Sequence, residues 1–312
     1  MQKEFPLLSV IVPTFNKSSL LKETIQSVLN QNYHNWECII VDDGSTENNL
    51  EVGIDFSKTD KRISIFSRPD FPKPKGANAC RNIGVENANG KYLIFLDGDD
   101  VLLPNCLDQR VKFMESNSHL DFAVFQMEKR DENLNYINSK PVVKSKENYL
   151  EAFLSHEIPW AITCPILKLE TVKKVKGFDE RFPRLQDPEL FTKILLLENL
   201  SYQVLDKSEA DSYYRIPQNK KVNLQNALSG FLMYYKKFYA IIKKQSKTND
   251  FQPAFEKGID YAYHYYIKYA KSTNAKFSNK IKICKLMLYA YQINVFTLRE
   301  CIKRCAYILI KI

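Results

Sequence analysis

Glycine is scarce in this chain, 9 residues in 312, and aromatic residues are plentiful, which argues against flexible low-complexity linkers. No apolar run approaches the roughly 18 to 20 residues that a membrane-spanning helix needs. Residues 1–6 lack the basic and then apolar pattern of a secretory leader. The 7 cysteines are odd in number and form no Cys-x-x-Cys pair, so buried, reduced thiols in a cytoplasmic protein are expected. Cys301 and Cys305 fall one helical turn apart and could hold a metal, but no histidine stands near them. His34, His119, His156 and His264 sit in unrelated contexts, and no Ser-His-Asp or Cys-His hydrolase arrangement has local support. No internal repeat is visible.

The remaining composition is that of an ordinary soluble protein, 45% apolar and 26% charged, which excludes disorder, collagen-like repeats and a polytopic membrane protein. The length predicts about two domains. The formal charge of +9 is uneven. Residues 216–312 carry 18 Lys and Arg against 4 Asp and Glu, whereas residues 1–215 carry 27 against 32. An acidic front and a basic, mostly helical tail suggest units with different partners, divided at 215/216. Basic tails contact nucleic acid, anionic lipid or acidic substrates.

Along the first hundred residues, strand and helix signals alternate. Residues 7–12 read as a buried strand ended by Pro13. Ser18 or Ser19 can cap a helix carrying Leu20, Leu21, Ile25, Val28 and Leu29 at helical spacing. A buried strand follows at 36–41, a weaker one at 62–66 and a further strand at 91–96, with a helix around 78–86. Strands that read as continuous apolar runs, separated by helices, mean a mainly parallel sheet covered on both faces. Further on, the pattern predicts helices at 104–116, 148–154 and 187–198, a strand at 120–125, an exposed polar excursion at 129–146, and helix from Pro217 onward.

In an open α/β sheet, ligands bind outside the carboxyl ends of the strands. Three strand ends carry polar clusters: Pro13-Thr14-Phe15-Asn16, Asp42-Asp43-Gly44-Ser45 and Asp97-Gly98-Asp99-Asp100. Turn chemistry alone explains any one of them; three on one rim argue for a site. The last crowds three carboxylates into four positions, which is unfavourable unless a cation neutralises them. Oxygen-only ligands favour Mg²⁺ or Mn²⁺, and an EF-hand is disfavoured because its sixth position would be Leu102. The bland alternative is a capped helix start, with Asp99 or Asp100 accepting backbone N–H bonds.

In order and spacing, these motifs resemble the inverting family-2 glycosyltransferases, nucleotide-diphospho-sugar transferases of GT-A fold. The likeness covers about residues 6–216. It runs through Val10-Ile11-Val12-Pro13-Thr14-Phe15-Asn16, Val41-Asp42-Asp43-Gly44-Ser45, Ala79-Cys80-Arg81-Asn82-Ile83-Gly84, Gly90-Lys91-Tyr92-Leu93-Ile94-Phe95-Leu96-Asp97-Gly98-Asp99-Asp100, Gly177-Phe178-Asp179-Glu180 and Gln186-Asp187-Pro188-Glu189-Leu190. The resemblance implies a Rossmann-like GT-A domain at 1–215, a C-terminal helical region at 216–312, and transfer of a sugar from a UDP-sugar in cell-surface polysaccharide synthesis. It implies Pro13 and Thr14 as walls of the nucleotide pocket, Asp42 as acceptor from a uracil N–H, and Arg81 toward the base or diphosphate. Asp97 and Asp99 then form the Asp-x-Asp metal motif for Mn²⁺ or Mg²⁺, with Asp97 nearer the ribose, and Asp187 is the general base. Arg81 reads nearly as well as a surface ion pair, and Asp187 as the N-cap of a helix beginning at Pro188.

Two departures stand out. Tyr213-Tyr214-Arg215-Ile216-Pro217 lacks the histidine by which some relatives complete the metal shell. The Gln-x-x-Arg-Trp motif of processive synthases is missing, which favours single additions. Residues 280–312 interleave apolar and basic side chains. They read as helices lying in a bilayer interface at the inner face of the membrane, or as helices packing on the catalytic core or a second subunit in a homodimer. The glycan or lipid-linked acceptors of such pathways favour the membrane. A nucleic-acid-binding protein with a Tyr- and Lys-rich tail is the competing class, but it leaves the three rim clusters unexplained, so no nucleic acid is expected.

Overall fold

The computed structural model describes residues 6–46, 48–217, 223–270 and 277–311; residues 1–5, on which most of the leader reading rests, lie outside them. In chain order the elements are β1 (Leu8–Thr14), α1 (Ser18–Leu29), β2 (Trp36–Asp42), α2 (Asn49–Thr59), β3 (Ile63–Ser67), α3 (Ala77–Asn87), β4 (Tyr92–Phe95), β5 (Val101–Leu102), α4 (Cys106–Ser116), β6 (Phe122–Val124), β7 (Glu128–Arg130) and α5 (Tyr149–Leu154). They continue with β8 (Pro165–Lys168), α6 (Leu169–Lys174), α7 (Gln186–Leu195), β9 (Tyr202–Val204), β10 (Ser212–Arg215), α8 (Leu224–Lys244), α9 (Thr248–Ala270), α10 (Phe277–Gln292) and α11 (Leu298–Lys311). Two compact units result: Met1–Ser145, Pro159–Glu180 and Leu197–Asn219 form the first, and Lys146–Ile158, Arg181–Leu196 and Lys220–Ile312 the second.

Among the described residues, the first unit holds a seven-stranded sheet in the order β3-β2-β1-β4-β8-β6-β9. The first four strands are mutually parallel, β8 runs antiparallel to β4 and β6, and β9 is parallel to β6. A small sheet, β5-β10-β7, lies apart from it. The parallel strands are those the apolar runs predict, and the antiparallel β8 makes the sheet mixed, as the resemblance to GT-A enzymes implies. Successive strand residues face opposite sides of a sheet. Leu8, Val10 and Val12 share a core with Leu21, Ile25 and Val28 of α1 and with Leu107 and Val111 of α4. Ile11, on the other face, meets Gly84 of α3 so closely that any added Cβ there would collide with it. Helices therefore cover both faces, which is why β1, β2 and β4 are apolar at nearly every position.

Several local expectations are corrected. Pro13 does not end β1, which continues to Thr14 paired with Asp42. Ile11 accepts from Leu96 on the β4 side, and Pro13 shares its parity; β4 stops at Phe95, so no ladder bond needs the missing N–H. The N-cap position of α1 is Lys17, which makes no side-chain cap bond, and Ser18 is already inside the helix. Helix α7 begins at Gln186 after Leu185 in left-handed conformation (φ 67°), so Asp187 lies in the first turn and is not the cap. The polar excursion is partly structural: residues 128–130 form β7, and Val142 and Val143 are buried.

The second unit is helical from α8 onward, as expected after Pro217. Its core gathers Phe231, Tyr234, Tyr235, Phe238, Phe255 and Tyr266, with Ile283, Leu286 and Met287 of α10. Tyr265 packs obliquely against Tyr269 and Tyr261, with ring centroids 4.7 and 6.1 Å apart. Much of the aromatic content that could suggest a nucleic-acid surface serves packing instead. Cys301 is buried with its thiol toward the Met287 carbonyl, while the free thiols of Cys305 and Cys284 share a hydrogen bond. No group of three or more His, Cys, Asp or Glu able to hold a metal occurs among the described residues.

His156, in left-handed conformation (φ 61°), packs on Phe231 and Tyr261 at 4.8 and 4.6 Å. Burial, followed by the charge of Arg184, lowers its pKa from 6.5 to about 4. The unfolded chain therefore takes up a proton between these values that the folded chain refuses, and stability falls as pH drops through that window. Denaturant unfolding at pH 7 and pH 4.5 should show a loss on the order of 2 kcal/mol from this group. His156→Asn, which keeps a residue tolerant of positive φ, should remove that part of the pH dependence.

Candidate functional site

At the carboxyl ends of β1, β2 and β4 lies a cavity of about 300 Å³, lined by Pro13, Thr14, Phe15, Lys17, Asp43, Ala77, Cys80, Arg81, Asp97, Gly98 and Asp99. Each wall has a local cause. Thr14 is buried and accepts from the Asn49 amide at 2.6 Å. Asn16 takes a left-handed conformation (φ 48°), donates from its backbone to Ser45 Oγ, and accepts from the Thr46 N–H. Gly98 approaches the Pro13 carbonyl so closely that a Cβ would stand 3.0 Å from it. Phe15 is exposed, with the Lys75 ammonium 4.1 Å from its ring centroid.

The three crowded aspartates are each met from a different element. Arg81, on α3 and only 5% exposed, donates from Nη2 to Asp97 Oδ1 at 2.6 Å, and its guanidinium lies 5.3 Å from the Phe178 ring centroid. The ion pair weighed from the sequence is therefore real but buried. Lys17 Nζ pairs with Asp99 Oδ2. Asp100 accepts from the Arg215 backbone N–H at 3.1 Å and from Thr163 Oγ1 at 3.4 Å. Burial lifts the Asp100 carboxyl well above the usual carboxylate range, and Asp97 and Asp99 push it the same way. The cluster is followed by strand β5, with helix α4 beginning only at Cys106, so it is not a capped helix start.

Pro13, Thr14, Arg81, Asp97 and Asp99 are thus brought together in one cavity. Asp42 borders it differently: its carboxylate accepts from the Gly44 and Ser45 N–H groups at 2.9 Å each and from Ser45 Oγ at 2.5 Å. The lining carboxylate at that strand end is Asp43, which holds Arg68 Nε at 2.7 Å and the Gly76 N–H at 3.0 Å. Asp187 lies on α7 in the second unit, half-buried. Nearby Glu189 is fully buried and pairs with Lys193 and Lys237 at 3.0 and 2.7 Å.

Sequence reasoning passed over Lys17, Asp43 and Arg215. For Arg215 the strand signal of β10 is short, and its role rests on partners far along the chain. It donates from Nε to the Asp99 carbonyl at 2.8 Å, from Nη1 to the Glu132 carbonyl at 2.5 Å and from Nη2 to Glu23 at 2.7 Å.

Comparison with known proteins identifies the family. The family model for glycosyl transferase family 2 matches residues 9–169. An uncharacterized glycosyltransferase of Haemophilus influenzae is 30% identical over 276 residues, 85% of this chain and 99% of its own. The GalNAc(5)-diNAcBac-PP-undecaprenol beta-1,3-glucosyltransferase of Campylobacter jejuni is 28% identical over 91% of this chain and 90% of its own. Among solved structures, S. aureus TarS 1–349 in complex with UDP-GlcNAc has a TM-score of 0.69 at 16% identity, covering 97% of this chain and 87% of that one. The mannosyltransferase PcManGT of Pyrobaculum calidifontis, in complex with GDP-Man and Mn²⁺, has a TM-score of 0.52 at 15% identity, covering 98% and 86%. The two structures share the fold. The chain belongs to glycosyl transferase family 2 and is a transferase of GT-A fold.

Arg215→Ala should lower stability by roughly 2 to 4 kcal/mol in denaturant unfolding, since it strands buried acceptors around the acidic loop. Arg215→Lys should recover only part of that, because a single ammonium cannot reproduce the guanidinium fork. Equal stability of all three proteins would remove Arg215 as the staple of that loop.

Proposed function

We propose that this glycosyltransferase moves a sugar, with inversion, from a UDP-sugar to a hydroxyl of a glycan or lipid-linked acceptor in cell-surface polysaccharide synthesis, with Mn²⁺ or Mg²⁺ at Asp97 and Asp99. The observation that carries the reading is the convergence of Pro13, Thr14, Arg81, Asp97 and Asp99 on one cavity at the sheet's carboxyl rim. The UDP-GlcNAc complex of TarS and the undecaprenol-linked acceptor in the Campylobacter relative's name support the substrate classes.

The donor set fits a hard divalent cation. Asp97 and Asp99 offer oxygen only, and Mg²⁺ and Mn²⁺ accept few protein ligands while keeping water and substrate phosphates. Each of the three lining carboxylates already has a cation, Arg68 on Asp43, Arg81 on Asp97 and Lys17 on Asp99, so a diphosphate entering alone would find no unpaired positive charge among them. A divalent ion bound there would supply Lewis-acid stabilisation of charge on the departing diphosphate. Arg81 holds Asp97 in place and lends its positive charge to the donor end of the cavity. Pro13 and Thr14 wall the nucleotide, and Asp42, bonded to its own turn and outside the cavity lining, is the carboxylate assigned to accept from the base. Asp187 is the carboxylate assigned to take the acceptor's proton as the hydroxyl attacks.

A panel of nucleotide sugars with Mn²⁺ tests the donor assignment: UDP-sugars should be hydrolysed, and Asp99→Ala should abolish turnover while leaving the fold intact by circular dichroism. Equal use of GDP- or CMP-sugars would remove the role given to Asp42. Asp187→Asn should retain donor binding and lose at least a hundredfold in transfer, within the range for a general base; unchanged transfer would exclude it.

No helix among the described residues is long and apolar enough to cross a membrane. Phe277, Ile281 and Leu288 of α10 and Leu298, Ile302 and Leu309 of α11 are exposed, at spacings that share one face of each helix, beside exposed Lys285, Arg299 and Lys303. We assign these helices to peripheral contact with an anionic inner leaflet, each basic residue contributing about 1 kcal/mol. The protein should co-sediment with phosphatidylglycerol vesicles and not with phosphatidylcholine vesicles, and Leu288→Ser with Ile302→Ser should weaken binding at least fivefold. Indifference to lipid charge would end the assignment.

A further inference from the structure

The two cations in the cavity differ in kind. Arg81 is 5% exposed and stacked near Phe178, whereas the Lys17 side chain is 44% exposed. The first is a fixed counter-charge to Asp97. The second sits on Asp99 in a pair that water can reach, and such exposed pairs hold weakly. Both main chains of that pair are anchored. The Lys17 N–H donates to Asn49 Oδ1 at 3.1 Å, behind the left-handed Asn16. The Asp99 carbonyl is held by Arg215, and the neighbouring Asp100 carbonyl accepts from Thr24 Oγ1 at 2.9 Å. Only the side chains are placed to separate.

We propose that Lys17 is a placeholder cation: its ammonium occupies the Asp99 carboxylate until a divalent ion arrives with the donor diphosphate, and it then turns to a diphosphate oxygen. The inference rests on the reading of Asp97 and Asp99 as the metal carboxylates. It follows from charge. A metal ion alone must displace Lys17 from Asp99 and leaves an unpaired ammonium beside a dication. A metal ion accompanied by a diphosphate gives that ammonium a new partner. Metal and nucleotide diphosphate therefore bind cooperatively, each raising the affinity of the other by the same factor.

Mn²⁺ binding, followed by electron paramagnetic resonance of the free ion, tests this in the full-length protein with and without UDP. Without UDP, Lys17→Met should bind Mn²⁺ about three- to tenfold more tightly than wild type, because a competing cation has gone. Lys17→Arg should stay close to wild type. With saturating UDP, the gain in Mn²⁺ affinity should be smaller in Lys17→Met than in wild type by at least the same factor. Asp99→Asn separates the two levels of the claim. If it leaves Mn²⁺ affinity unchanged, the metal reading fails and the placeholder with it. If it abolishes binding while Lys17→Met matches wild type in both conditions, the placeholder alone is wrong.

Discussion

Three carboxylates within four residues, at the mouth of a buried strand, constrain much of the first unit. Like charges this close together disfavour one another's ionised forms unless counter-charges or hydrogen-bond donors meet them. The fold meets each acid from a separate element: α3 brings Arg81 to Asp97, the start of α1 brings Lys17 to Asp99, and β10 brings the Arg215 N–H to Asp100. Burial also favours the neutral form of Asp100. The same contacts tie α3, the start of α1 and β10 to the acidic loop, so the site and the local architecture have a common cause.

How much of this the sequence discloses follows from the range of each interaction. β1, β2 and β4 are legible because burial on both faces leaves a continuous apolar run, and the rim clusters stand directly after them. Helix α2 leaves a faint trace, since Asn49, Val52 and Gly53 are its only buried residues, and its close approach to Ile65 depends on Gly53 having no side chain. β10 and β7 are short and polar, and they exist because they pair with each other. The ion pair of Arg110 with Asp211, with the arginine completely buried and also donating to the Thr163 carbonyl at 2.8 Å, joins residues a hundred positions apart. No local pattern announces such a contact.

The cavity shows the same limit at finer scale. Motif order places Asp42, Asp97 and Asp99 near one rim. It does not say that Asp42 folds back onto Gly44 and Ser45 while Asp43 lines the wall. Adjacent residues on a strand point to opposite faces, and which of two aspartates reaches the cavity depends on how the loop beyond the strand turns. Gly44, with φ 79°, sets that turn.

In the second unit the informative residue is Glu189. A fully buried carboxylate is costly unless paired, and this one has two lysines, one from its own helix and one from α8. Thr192 and Tyr234 add a 2.6 Å bond between the same helices. These ties fix the register of α7 against α8. Asp187 stands two residues before Glu189, in the first turn of the helix so held. A general base must keep its oxygen within hydrogen-bond reach of a hydroxyl throughout proton transfer, and a mobile loop would spend much of its time elsewhere. Asp187 thus stands on a helix anchored by a buried, doubly paired glutamate, which is the constancy that the proposed role as base requires.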